Sequence, residues 1–63
     1  MDALGQRIKK LRVDKGISQA DLGKLVNVGN TTVSQWESNR RVPDIGVVKR
    51  LAEIFGVSVD FLL

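Results

Sequence analysis

The sequence predicts an all-α protein in which five short helices form one compact bundle. Apolar residues recur at intervals of three and four along most of the chain, which is the spacing of one helical face. Ser and Asp at the predicted helix starts, and Gly at predicted helix ends, divide the chain into short segments. No stretch carries the signals of a strand. Because the chain has 63 residues, residues 1–63 are predicted to form a single domain.

The composition excludes several kinds of site. The chain has neither Cys nor His, which excludes the common zinc sites and any Ser-His or Cys-His catalytic pair. We therefore expect no metal, no other cofactor and no enzymatic activity. Ten Lys and Arg residues against seven Asp and Glu residues give a net charge of +3, which favours an anionic partner.

The sequence shows no pattern of a membrane or exported protein. No apolar run approaches the roughly 20 residues of a membrane span, and no signal-peptide pattern follows Met1. We expect a soluble, cytoplasmic protein that has no contact with a membrane.

The first helix is predicted over residues 3–15, where a glycine follows the lysine-rich last turn. Leu4, Ile8 and Leu11 fall at i, i+4 and i+7 and form its apolar face. Arg12 lies beside Ile8 at the margin of that face, which makes it a candidate for a buried or half-buried ion pair. For the other basic residues of this segment, a solvated helix exterior is an equal alternative to a binding role.

The second helix is predicted to begin after Ser18, because Asp21 three residues later completes a short capping box. Its core positions follow at i, i+3 and i+4 and are Leu22, Leu25 and Val26. Gly23 lowers the helix propensity by up to about 1 kcal/mol relative to Ala. A close helix crossing at Gly23 would explain that choice.

Three residues are predicted to form the turn after this helix. Asn27 tolerates a left-handed backbone, Val28 can reach the core, and Gly29 can precede a helix without offering a capping side chain. The second and third helices are thereby joined by a connection of three residues.

The third helix, predicted from Asn30 to Ser38, has two chemically different faces. Val33 and Trp36 share the face expected to pack in the core, and Glu37 lies at its edge. The opposite face carries short hydroxyl and amide side chains that can both donate and accept hydrogen bonds. Such a face suits the reading of base edges, and its residues are Asn30, Thr31, Ser34, Gln35 and Ser38.

The fourth and fifth helices follow a loop that contains Pro43. Asp44 is predicted to cap the fourth helix, whose wide apolar arc requires either a further helix or a partner to cover it. Ser58 is predicted to cap a last short helix, which places Phe61 and Leu62 on the core. The apolar positions of the fourth helix are Ile45, Val47, Val48, Leu51, Ala52, Ile54 and Phe55.

Two short helices joined by three residues, with a polar outer face on the second, have the layout of a helix-turn-helix. The run SQADLGKLVNVGNTTVSQWESNRRVPD, followed by LAEIFGVSVDFLL, resembles the five-helix DNA-binding domain of the lambdoid phage repressor and Cro family, also called the XRE family. The resemblance extends from about Leu4 to Leu63. It includes the Ser-Gln start of the second helix, the Val-Ser-x-Trp-Glu centre of the third, the Arg-x-Pro-Asp loop and the Gly-Val-Ser-x-Asp-x-Leu-Leu ending.

The resemblance implies sequence-specific binding of double-stranded DNA by a transcriptional regulator, in particular a repressor, with the third helix in the major groove. It also implies that Gln19 contacts a phosphate and braces the first residue of the third helix, and that Arg12 and Glu37 form a largely buried pair. The residues matched to base contacts are Asn30, Thr31, Ser34 and Gln35. The residues expected to contact the DNA backbone are Gln19, Asn39, Arg40 and Arg41, together with Lys9 and Lys10.

Three departures from the family pattern bear on stability. The family usually has Gly at the position of Asn27, Ser or Thr at that of Gly29, and Ala at that of Gly23. The weaker helix cap at Gly29 and the lower helix propensity of Gly23 predict a free energy of unfolding about 1 to 2 kcal/mol lower than the usual family residues would give.

Family members commonly bind palindromic operators as two-fold dimers, so we expect a homodimer on DNA and a bacterial or phage-encoded protein. The chain could be the N-terminal part of a longer repressor, and no small-molecule ligand is evident. The alternative function is a protein-binding module, of the antitoxin or regulatory type, that uses the same fold. The residues predicted for the dimer surface are Pro43, Val47, Ile54 and Val57.

Overall fold

The structure is a computed structural model that describes residues 4–63, and this part of the chain contains five α-helices and no strand. The prediction of an all-α, five-helix fold is therefore confirmed, whereas Ala3, the predicted first residue of the first helix, lies outside the described residues. The helices are α1 (Leu4–Lys15), α2 (Gln19–Leu25), α3 (Asn30–Glu37), α4 (Ile45–Phe55) and α5 (Val59–Leu62).

Side-chain caps fix the starts of three of these helices. Ser18 Oγ accepts from the backbone N–H of Asp21 at 3.0 Å, and Asp21 Oδ2 accepts from the backbone N–H of Ser18 at 3.1 Å, which forms the predicted capping box. The hydrogen bond that the backbone N–H of Ser18 donates to the carboxylate is the main cause that lowers the pKa of Asp21. Asp44 caps α4 and Ser58 caps α5, each by accepting from a backbone N–H three residues later. The capping signals in the sequence therefore predict these helix starts correctly.

Each of the five helices contributes to one apolar core. α3 packs against both α1 and α2, and α4 packs against α1 and α5, so α3 is held by two neighbours. Removing these side chains from water supplies the main favourable term in folding. The buried apolar residues are Ile8, Leu22, Val33, Trp36, Val48, Leu51, Ala52 and Leu62.

Three apolar residues that were predicted to face the core are exposed instead. Leu25 is the last residue of α2 and Ile45 the first of α4, and at these helix ends both side chains face solvent. Phe61 is exposed as well, because α5 is a single turn and Leu62 fills its contact with the core. The spacing of apolar residues therefore predicts which face of each helix packs on the core. It does not predict that apolar residues at the helix ends are exposed.

Gly23 allows another part of the backbone to approach α2 closely, as predicted. That part is the turn after α2, however, and not a crossing helix. A Cβ atom at Gly23 would lie 2.5 Å from the carbonyl oxygen of Val28 in the turn, so a larger residue would displace the turn. The backbone N–H of Val28 also donates to the carbonyl of Gly23 at 2.8 Å. The absence of a side chain at Gly23 thus makes room for the short connection between α2 and α3, which compensates for its low helix propensity.

A second close approach of two backbone segments occurs at Gly5, and the sequence did not predict it. Gly5 is buried where the first turn of α1 meets the end of α3, and a Cβ atom there would lie 2.1 Å from the carbonyl oxygen of Trp36. Because backbone atoms cannot move aside as a flexible side chain can, the two helices must separate to accept any larger residue.

Gly5→Ala is expected to lower the free energy of unfolding by about 1 to 3 kcal/mol, although Ala is the better helix former. Gly46→Ala in α4 is the matched control. A Cβ atom at Gly46 meets only a side-chain atom, the capping Oδ1 of Asp44 at 3.3 Å, which has to shift by only a few tenths of an ångström, so this change is expected to cost much less than Gly5→Ala. Urea denaturation compares the two variants, and equal stability of both would contradict the close contact at Gly5.

Candidate nucleic-acid interface

The connection between α2 and α3 has the short form that the sequence predicts. Asn27 adopts a φ of 63°, in the left-handed region that Asn tolerates, and Val28 packs against the core. Gly29 precedes α3 as its N-cap and makes no side-chain cap hydrogen bond. The chain therefore reverses direction between α2 and α3 within a few residues, as a helix-turn-helix requires.

α3 has the two faces that its sequence predicts. Val33 and Trp36 are buried in the core, whereas Asn30, Thr31 and Ser34 are exposed. Gln35 is half-buried and follows Ser34 on the same side of the helix. The four residues predicted to contact bases thus lie side by side on the face of α3 that points away from the core, while the opposite face packs against the core.

Glu37 and Arg12 form an ion pair that joins α3 to α1. Arg12 Nε donates to Glu37 Oε2 at 2.6 Å and Arg12 Nη2 donates to Glu37 Oε1 at 3.1 Å, so the contact is bidentate. The two side chains are only 12% and 4% exposed. Arg12 Nη1 also donates to the carbonyl of Ile17 at 2.9 Å, which fixes the loop before α2. The hydrogen bond to Glu37 raises the pKa of Arg12.

Gln19 has a partner that the family resemblance does not name. Its Nε2 atom donates to Glu37 Oε1 at 3.1 Å. The carboxylate of Glu37 is the strongest acceptor available there, because it is charged and nearly removed from water. One carboxylate therefore connects α1, α2 and α3, and a helical-wheel argument gave no sign of this third partner.

The loop that follows α3 is folded against the last turn of that helix. Asn39 adopts a φ of 63°, in the left-handed region that Asn tolerates, and its Oδ1 atom accepts from the backbone N–H of Gly5 at 3.2 Å. The backbone N–H groups of Arg40 and Arg41 both donate to the carbonyl of Gln35, at 2.9 and 3.2 Å. Both arginine side chains are exposed. The loop thus presents two guanidinium groups beside the end of the exposed face of α3.

Lys9 and Lys10 differ in their relation to α3. Lys9 lines a shallow groove together with Gln19, Ser34 and Ser38, so it shares a surface with α3. Lys10 lies one position further around α1 and approaches Asp14 at 3.7 Å, in a pair whose side chains are 77% and 62% exposed. Lys9 is therefore the better placed of the two for a ligand that contacts α3.

The four residues predicted for the dimer surface are partly or largely buried within the single chain. Pro43 is buried, although it lines an open groove together with Val42 and Val47. Val47, Ile54 and Val57 are half-buried and pack against the core, so the chain itself covers only part of the wide apolar arc of α4. The exposed apolar residues nearest to them in the chain are Ile45, at 58% exposure, and Phe61, at 56%, while Val42, next to Pro43, is 79% exposed.

Within residues 4–63, no helix is long and apolar enough to cross a bilayer. The same part of the chain holds no group of three or more carboxylate side chains that could bind a metal ion.

Together, the short connection, the anchored α3 and its exposed polar face define a helix-turn-helix domain. The chain belongs to the helix-turn-helix family, whose family model matches residues 8–62. This confirms the family resemblance seen in the sequence.

The relatives to which the chain is similar include transcriptional regulators. It is 34% identical over 61 residues to the HTH-type transcriptional regulator ImmR of Bacillus subtilis, and the match covers 97% of this chain and 48% of that protein. It is 38% identical over 60 residues to the repressor protein C2 of Salmonella phage P22, covering 95% of this chain and 28% of that protein. The chain thus spans about half the length of ImmR, or less in the case of C2.

Solved structures confirm the fold. A crystal structure of the P22 c2 repressor in complex with a synthetic operator superposes with a TM-score of 0.93 at 36% identity, covering 100% of this chain and 96% of that one. The structure of SinR in complex with DNA superposes with a TM-score of 0.83 at 33% identity, covering 94% and 95% of the two chains.

Proposed function

We propose that this chain is a sequence-specific DNA-binding domain of a transcriptional regulator, of the repressor type, and that α3 enters the major groove of double-stranded DNA. The observation that carries the proposal is the exposed face of α3. Asn30, Thr31, Ser34 and Gln35 lie together there, while Arg40 and Arg41 flank the end of the helix. The P22 c2 repressor and SinR, which share the fold, were solved in complex with DNA.

The chemistry of this face favours contacts to A·T base pairs. The amides of Asn30 and Gln35 can each donate to and accept from one adenine, and the methyl group of Thr31 can contact a thymine methyl. A good bidentate pair contributes about 1 to 3 kcal/mol of discrimination against the wrong base. The exposed face of α3 carries no arginine, the residue that most often reads guanine, so A·T-containing sites should be preferred.

The flanking residues orient the domain rather than select a sequence. Arg40, Arg41 and Lys9 are exposed around α3 and would approach phosphates, which carry no sequence information. Gln19 keeps one N–H available after its bond to Glu37, so it can still reach a phosphate. Lys10 would contribute less, since it approaches Asp14.

A single domain of this size buries little DNA-facing surface, so tight binding calls for two copies on a palindromic site. The proposed dimer surface consists of the accessible parts of Val47, Ile54 and Val57, with Val42 in place of the buried Pro43. Double-stranded DNA in the cytoplasm of a bacterium would be the setting of this activity, in a bacterial or phage-encoded regulator.

Selection of bound sequences from a random duplex pool tests the proposal. We expect an enriched, palindromic, A·T-containing motif whose half-sites lie about one turn of DNA apart. A motif without palindromy would contradict the dimer, and recovery of no enriched motif at moderate salt would contradict sequence-specific binding itself.

The protein-binding alternative predicts a different pattern of variants. If Asn30→Ala and Gln35→Ala leave DNA binding unchanged while Val42→Ser abolishes a complex with a protein, α3 does not read DNA. If the reverse holds, the exposed apolar residues do not carry the main function.

Arg40→Gln is expected to reduce the slope of log K against log salt concentration by about 1 for each bound chain, because one phosphate contact releases about one counterion. Lys49→Gln in α4 is the matched control, since it removes the same charge from an exposed position on a helix outside the proposed interface. Anisotropy titrations over a salt series measure both slopes. Equal slopes for the two variants would show that Arg40 does not contact a phosphate.

A further inference from the structure

Two of the amide side chains beside α3 are already bound within the protein. Gln19 Nε2 donates to Glu37 Oε1 at 3.1 Å, and Asn39 Oδ1 accepts from the backbone N–H of Gly5 at 3.2 Å. Each of these amides is held in one orientation by its partner. Neither is therefore free to turn both its oxygen and its nitrogen toward one base.

The amides of Asn30 and Gln35 have no such partner. Among residues 4–63, neither side chain hydrogen-bonds to another protein group, and both lie on the face of α3 that points away from the core. Each amide keeps an acceptor oxygen and an amino group with two N–H donors. An adenine in the major groove presents the complementary pair, an N6–H donor beside the N7 acceptor.

The rest of this face is uncharged and almost free of apolar groups. Within α3, all of which the structure describes, the one charged residue is Glu37, and its side chain is buried. The only methyl group among the exposed side chains of the helix belongs to Thr31. A base that carries an added apolar group therefore meets polar atoms over most of this face.

α3 is also held too firmly to move away from a bulkier base. Glu37, in its last turn, is bound by Arg12 of α1 at 2.6 Å and by Gln19 of α2 at 3.1 Å. The carbonyl oxygen of Trp36 approaches α1 so closely that a Cβ atom at Gly5 would lie 2.1 Å from it. Shifting α3 to make room at the DNA would disturb these contacts.

Methylation of adenine on N6 changes the group that such an amide would read. One N6 hydrogen pairs with thymine, and the other points into the major groove beside N7. A methyl group must replace the second hydrogen, because the first is needed for the base pair. The amide oxygen then loses its donor and faces a methyl group, after it has already given up its water.

Resting on the DNA-binding function proposed above, we propose that the ligand of this face is DNA whose contacted adenines are unmethylated at N6, and that N6-methylation of these adenines weakens binding. Asn30 and Gln35 are the residues that detect the methyl group. The methylation state of the DNA thereby controls how much of the site is occupied, without any change in the protein.

The test uses the duplex enriched in the selection described above, with N6-methyladenine at one motif position at a time in both half-sites. At a contacted adenine, the affinity of the wild-type chain should fall about 5- to 150-fold for each bound chain, which corresponds to about 1 to 3 kcal/mol. N6-methyladenine in the DNA that flanks the motif is the control and should leave the affinity unchanged. Anisotropy titration measures each affinity.

Variants assign the effect to individual side chains. Gln35→Ala should bind the methylated and unmethylated duplexes equally at the position that Gln35 contacts, because alanine leaves room for the methyl group and has no side-chain acceptor. Asn30→Ala should do the same at a different position. Arg40→Gln is the matched control: it should bind every duplex more weakly, through the loss of a phosphate contact, but keep the full effect of methylation.

Three results would overturn the inference. The first is a wild-type chain that binds the unmodified duplex and every methylated duplex equally, and the second is an enriched motif without A·T pairs. The third is a methylation effect that persists at every position in both alanine variants, since the methyl group would then act through duplex shape. A wild-type chain that binds no unmodified duplex contradicts the proposed function itself, so that titration distinguishes the two failures.

Discussion

Glu37→Ala is expected to lower the free energy of unfolding by about 3 to 5 kcal/mol, which is a large part of the stability of a domain this small. The change leaves the guanidinium of Arg12, whose side chain is 12% exposed, without its carboxylate, and it removes the acceptor of Gln19. The cost of a buried, unpaired charge dominates this value. Urea denaturation followed by the fluorescence of Trp36 measures the loss.

Asp14→Ala is the control for this result, because Asp14 belongs to an exposed pair with Lys10 and its loss should cost less than about 1 kcal/mol. The double variant Arg12→Met and Glu37→Met should recover much of the stability, since two apolar side chains of similar length leave no charge uncompensated. If Glu37→Ala is no more destabilising than Asp14→Ala, the buried pair does not hold α3 to α1.

The double variant Asn30→Ala and Gln35→Ala is expected to weaken binding to the selected duplex by about 30-fold or more, because each amide contributes about 1 to 3 kcal/mol to base discrimination. Neither side chain takes part in the core, so the free energy of unfolding should change by less than about 0.5 kcal/mol. Anisotropy titration with the selected duplex measures the affinity.

An unrelated duplex of the same length is the control for this variant. Binding to it depends on phosphate contacts, which the substitutions leave in place, so its affinity should stay close to that of the wild type. A similar loss on both duplexes would show that the substitutions disturb docking as a whole rather than the reading of bases.

The buried and exposed faces of the helices could be predicted from the sequence. Burial along a helix repeats every 3.6 residues, and this repeat is visible in the order of neighbouring residues. The two faces of α3 are an example, since Val33 and Trp36 are buried whereas Asn30 and Ser34 are exposed. The same local rules identified the caps at Ser18, Asp44 and Ser58, where a side chain reaches a backbone N–H only three residues away.

The contacts of the candidate interface were predicted less completely. The pair of Arg12 and Glu37 could be anticipated because both residues lie at the margins of apolar faces, and the family resemblance implied the same pair. The bond from Gln19 to Glu37 was missed, as was the burial of Pro43, since neither follows from the period of a single helix. Both depend on how separate helices meet.

The sequence by itself determined the five helices, their caps and the polar face of α3, all of which rest on residues within a few positions of one another. Only the tertiary structure decided that Asn39 caps α1 through Gly5 and that Glu37 holds three helices together. Hydrogen bonds between residues far apart in the chain depend on the angles and distances at which the helices pack. Side-chain volumes across the whole core set that packing, and no local pattern encodes it.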